Sequence, residues 1–172
     1  MPKDRFSSSL GTVQQLARYN QEVFGRFVRS LRRRPWAEMV RDRGTGHLSL
    51  KDTLVHILNV HEAWMVAVAQ KRWEIFDRPD RTKEAIDSWA KLRRYADRVW
   101  AEENALLAQL TEKKLAARLR APWMPGSYTL VDAFFQTTIE EAHHLGEIIA
   151  IYWQNNWRPP AMTWIENLRA PR

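Results

Sequence analysis

At 172 residues the chain suits one domain, spanning 1–172 with 161–172 as a surface tail, and is too short to expect two. A hydrophobic fraction of 45% with nine tryptophans excludes a disordered chain. The absence of cysteine excludes disulfides, thiolate metal sites and cysteine nucleophiles. The net charge of +7 invites an anionic partner. Apart from Arg32, Arg33 and Arg34, however, bases alternate with acids, as in 83–104. That pattern reads as a solvated helix face, so no specific nucleic-acid binding is expected.

The opening MPKDRFSSSL lacks the apolar run of a signal peptide, and no stretch reaches the roughly 18 uncharged apolar residues of a membrane span. A cytoplasmic protein with no membrane contact is therefore expected. Glycine and proline fall between four stretches of helical length, 10–33, 49–72, 82–110 and 129–155, each with apolar residues recurring at three and four. An all-α four-helix bundle is the expected fold. In the first stretch Leu10, Val13, Leu16, Ala17, Phe24, Phe27, Val28 and Leu31 make one stripe.

The second stretch opens on Ser49 as N-cap and is apolar on nearly every face, which places it centrally. The third is the most polar and is expected outermost. Before the fourth, KKLAARLRAPWMPGSYTL is too short in its periodicity for a helix. It predicts a long, weakly strand-like crossover, with Thr129 or Ser127 capping the last helix. Trp164 is the expected anchor of the tail.

Four of the five histidines, His56, His61, His143 and His144, lie in the two most apolar helices. An imidazole or carboxylate there needs a partner, because leaving it unpaired in an apolar interior costs several kcal/mol. Residues four apart differ by about 40° around a helix, so Glu140 and His144 can grip one ion. His143 projects about 100° from His144, and His61 about 140° from His56, so one of each pair at most binds a given ion. Spacing alone equally allows Glu140 with His143, Glu141 with His144, and His143 with Glu147. A buried Glu beside a His also reads as a hydrogen-bonded core pair.

SLKDTLVHILNVHEAWM and EEAHHLGEIIAIYWQNNW resemble the second and last helices of the DinB/YfiT-like family. In that family a histidine of the second helix, and an H-x-x-x-H followed by x-G-Q-I in the last, bind metal. The resemblance implies a DinB/YfiT-like four-helix bundle with a long crossover before the last helix, and the metal ligands His56, Glu140 and His144. Gly146 falls on the family's Gly and Glu147 on its Gln. Glu140 stands where many members carry His, but the mycothiol-dependent maleylpyruvate isomerases resemble this chain in having Glu there.

Two imidazoles and one carboxylate leave positions open on an ion, as catalytic sites do. Zinc is the expected metal, with nickel, iron or manganese also suited to these donors. The resemblance implies a metal-dependent enzyme acting on a small-molecule substrate with a low-molecular-weight thiol, of S-transferase or isomerase type. Its alternative is a non-enzymatic, stress- or damage-associated metal-binding protein. His61, Glu62, His143, Glu141 and Glu147 are expected in supporting or core positions, and His47, beside two glycines, at the surface. Tryptophan at helical spacing is expected mainly in the core, Trp123 and Met124 at the rim of a pocket, and Trp153 and Trp157 in a homodimer.

Overall fold

The computed structural model describes residues 9–44 and 46–167. Helix α1 (Ser9–Leu31) and the short α2 (Trp36–Val40) lead to α3 (Leu50–His61), which runs on as a π-helix over Glu62–Val68. Two 3₁₀ turns, Trp73–Asp77 and Pro79–Arg81, precede α4 (Trp89–Ala108) and the single turn α5 (Glu112–Leu115). Strands β1 (Arg118–Leu119) and β2 (Tyr128–Thr129) pair antiparallel, and α6 (Leu130–Gln154) and α7 (Trp164–Asn167) follow. The fold is all-α, with α1, α3 and its π extension, α4 and α6 as the four long elements. None of the described helices is long and apolar enough to cross a membrane.

Local chemistry sets the helix ends. The Ser49 hydroxyl accepts from the Asp52 amide at 3.0 Å. Thr129 makes a reciprocal capping box with Asp132, its hydroxyl accepting from the Asp132 amide while the Asp132 carboxylate accepts from the Thr129 amide. The third long helix starts at Trp89, not at 82. Pro79 and the 3₁₀ turns hold the chain irregular until Ser88 caps α4 by accepting from the Lys91 amide. Helix α6 stops where Asn156 takes φ of 53° and the Trp157 amide reaches back to the Tyr152 carbonyl at 2.8 Å.

One apolar cluster joins Phe24, Phe27 and Leu31 of α1, Leu54, Ile57 and Leu58 of α3, Tyr95 and Val99 of α4, and Leu145, Ile148 and Tyr152 of α6. A second, beneath the crossover, joins Val13, Trp64, Met65, Leu107, Leu130 and Phe134. Trp164 docks edge-on against Tyr19 at 5.1 Å, and the Tyr19 hydroxyl donates to the Met162 carbonyl. The tail is thus pinned to α1 at Met162 and Trp164; residues 168–172 lie outside the described residues.

Tryptophan divides between core and surface. Trp64 is buried, whereas Trp73, Trp123 and Trp153 are exposed. Trp157 turns inward, its ring 5.7 Å from Tyr152 and 4.2 Å from the Arg34 guanidinium carbon. Of the two tryptophans expected to face a second copy, only Trp153 keeps its surface free of such packing.

The face read as solvated over 83–104 is not solvated at Glu103, which is buried. Glu103 and Glu141 bracket the buried His61, with Nδ1 2.8 Å from Glu103 Oε2 and Nε2 3.0 Å from Glu141 Oε2. Burial alone would lower the His61 pKa, but the charge of Glu103 and hydrogen bonds to both carboxylates reverse the effect and raise it to about 10. His61 is therefore an imidazolium held between α4 and α6.

The next residue, Glu62, is fully buried. It accepts from Arg78 at 3.2 Å, Arg81 at 2.9 Å, Arg98 at 3.3 Å and the Tyr95 hydroxyl at 2.9 Å. Two of these arginines come from the 3₁₀ segment, so Glu62 ties that irregular stretch to the bundle. His61→Leu would leave two buried carboxylates without their cation and should cost about 3–5 kcal/mol. Because the folded-state pKa is raised, that contribution is whole below about pH 6.5 and is lost as pH climbs to about 10. Urea titrations of both proteins at about pH 6 and about pH 10 should show the gap closing at the higher pH.

Candidate metal centre

Side chains from α3, α6 and the loop between α2 and α3 converge on one patch. His56 projects from α3, half-buried, and Glu140 and His144 project from one face of α6. Glu140 Oε2 lies 4.0 Å from His56 Nε2 and 3.4 Å from His144 Nε2, and the two rings meet edge to face with centroids 4.6 Å apart. Donors held about 2.0–2.1 Å from a tetrahedral ion sit about 3.3 Å from one another. The carboxylate is thus at ligand spacing from His144 and a small closing movement from His56. The donor set fits a divalent ion that accepts imidazole and carboxylate.

Neighbouring groups aim these donors. Gln136 Nε2 donates to Glu140 Oε1 at 3.0 Å, which leaves Oε2 to face the imidazoles. Glu147 Oε2 lies 2.9 Å from His144 Nδ1, and that contact turns Nε2 toward Glu140. Burial would raise the Glu147 pKa, but its hydrogen bond with His144 and the charge of His144 and His143 hold it below the usual carboxylate value. For His56, burial, together with His47 and His144 beside it, pushes the pKa down to about 4. At neutral pH that ring is uncharged, the form that binds metal.

His143 is exposed, with Nε2 3.6 Å from Glu147 Oε1, and points away from Glu140. The helical offset from His144 explains this. His143, His144 and Glu147 make a second grouping of ligand-type atoms, in which only His143 is exposed. His61 and Glu141 form the core pair described above, on a different face of the bundle. Of the alternatives that spacing left open, Glu141 is taken up by His61, while His143 and Glu147 lie 3.6 Å apart.

Two expectations are corrected. His47 is not a free surface residue: its ring stacks on His56 at 3.9 Å and meets His144 at 4.8 Å, and His47, His56 and His144 offer ligand atoms all within 4.8 Å of one another. Nothing local in the sequence signals this, because the contact depends on how the loop folds back. Trp123 and Met124 do not line the cleft beside the histidines. That cleft, about 210 Å³, is bounded by Gly46, His47, Leu48, Val55, His56 and Lys83, with Asp52 and Asn59 also on its wall. Trp123 packs instead on Trp64 and Phe76, near the start of α6. Glu140 is about 15 Å further along the helix axis.

A sequence model of the DinB superfamily matches residues 9–148, a span that takes in three of the long helices entirely and α6 through Ile148. The chain belongs to the DinB superfamily. No curated protein matches it. The all-α bundle and the patch of histidines are what this DinB-superfamily chain presents. Support from Glu147 is open to a direct check: Glu147→Ala should weaken divalent-metal affinity about ten- to hundred-fold by freeing the His144 ring. His143→Ala should leave the affinity unchanged in the same titrations.

Proposed function

We propose that this DinB-superfamily protein is a metal-dependent enzyme in which His56, Glu140 and His144 hold one divalent ion, zinc in the first instance, and a low-molecular-weight thiol reacts with an electrophile. The observation that carries the reading is the convergence of two imidazoles and one carboxylate from two rigid helices, with Glu140 and His144 each aimed by a second contact, beside an open cleft. A structural site is normally closed by four protein donors, whereas three leave room for substrate.

The ion supplies Lewis acidity, which favours the thiolate of a thiol brought to it. The chain's residues do the positioning. Glu147 fixes the His144 ring, Gln136 fixes the Glu140 carboxylate, and the His47 to Lys83 cleft admits the substrate. Lys83 and Asp52 give that cleft one charge of each sign, which suits a polar substrate better than a purely apolar one.

A second reading is a metal-binding protein without turnover, and a specific observation favours it: His47 stands among the donors, where a catalytic site would keep an open face. Metal analysis of the purified protein separates the first step of both readings from no binding at all. His56→Ala, Glu140→Ala and His144→Ala should each reduce bound zinc to a small fraction of one equivalent, because each removes a donor held on a rigid helix. Conjugation assays with a panel of thiols and electrophiles then distinguish enzyme from binder: the enzyme reading expects zinc-dependent product that the three variants lack.

A further inference from the structure

The loop that brings His47 to the site is built with some strain. Leu48, the residue after His47, has φ of 65°, a left-handed conformation that is unfavourable for a residue with a side chain. The turn is closed by the Arg43 amide donating to the Leu48 carbonyl at 2.7 Å and the Ser49 amide donating to the His47 carbonyl at 2.7 Å. Its base is fixed to α2, where Arg43 pairs with Glu38 at 2.6 Å. Gly46 passes close to α6, and a Cβ built there would lie 3.8 Å from Glu147 Oε1. The backbone is thus drawn against α6 at the point where the His47 ring enters the site.

The ring's surroundings point to a ligand. Its neighbours are two imidazoles, the stacked ring of His56 and the edge-on ring of His144. A ring that only covered His56 would need no nitrogen facing the other donors. Here the ligand atoms of His47, His56 and His144 lie within 4.8 Å of one another, and Glu140 Oε2 approaches the latter two from the α6 side.

Resting on the metal reading above, we infer that His47 is a fourth protein ligand of the same ion, so that metal binding fastens the loop between α2 and α3 over the site. Four donors, three imidazoles and one carboxylate, then meet the coordination number zinc prefers. Three of them sit on rigid helices and one on a short, strained loop. The loop-borne donor is the one a substrate can displace without moving the bundle.

The test compares His47→Ala with His47→Phe, which keeps a ring stacked on His56 and removes the nitrogen. Zinc affinity is measured by chelator competition, and coordination by the visible spectrum of the cobalt(II)-loaded protein. Both variants should lose more than about hundred-fold in zinc affinity, beyond the range of a supporting contact. In both, the visible bands of the cobalt centre should shift and weaken as water takes the place of the ring nitrogen. Amide exchange in the loop should slow on zinc binding in the wild type and not in His47→Phe. Wild-type affinity and spectrum in His47→Phe would overturn the inference and assign the ring to packing. His56→Ala serves as the reference: if it loses zinc while His47→Phe does not, only the fourth ligand is wrong, and if it too keeps zinc, the underlying metal reading is wrong.

Discussion

The bundle depends on one constraint: an ionisable group taken out of water must be met by a partner, because the apolar interior gives it no other stabilisation. His61 shows the rule satisfied by charge, as an imidazolium between Glu103 and Glu141 that links α3, α4 and α6. Glu62, the next residue along, shows it satisfied by three arginines and a tyrosine hydroxyl, which draw the 3₁₀ segment onto the bundle. The start of the π-helix therefore carries two buried charges of opposite sign, each neutralised by a different part of the chain.

The patch around His56 follows the same rule with different means. His56 is half-buried beside His47 and His144, and its burial, with those two rings next to it, holds it neutral. A neutral His56 ring beside the Glu140 carboxylate is in the form that binds a metal ion. Nearby carboxylates divide into two kinds: Glu147 orients a ring, while Glu140 turns a free oxygen toward two rings. The contrast with His61 is instructive, since the same residue types in a closed environment make a salt bridge and no ligand set.

The periodicity of apolar residues is local, and so the four helices, the Ser49 and Thr129 caps and the strand-like crossover were legible in the sequence. The start of α4 was not, because turns built around Pro79 take their shape from distant contacts such as Arg78 and Arg81 with Glu62. Helical angles correctly set His143 apart from His144, since a regular helix fixes the offset of neighbours. Spacing could not choose between Glu140 with His144 and Glu141 with His144; the tertiary packing that turns Glu141 toward His61 makes that distinction. Glu103 was read as part of a solvated face because a single inward carboxylate hardly disturbs a polar helix pattern. His47 was missed for a related reason: a loop residue beside glycines has no period, and its neighbours are set by the fold of the loop over α3 and α6.

The central claim is that one divalent ion binds where α3 and α6 face each other. Anomalous diffraction from crystals soaked in zinc tests it most directly. The account predicts a single strong peak within bonding distance, about 2.0–2.2 Å, of His56 Nε2, Glu140 Oε2 and His144 Nε2. A peak held by His143 and Glu147 on the exposed side of α6, or no ordered peak at the convergent donors under saturating zinc, would contradict it.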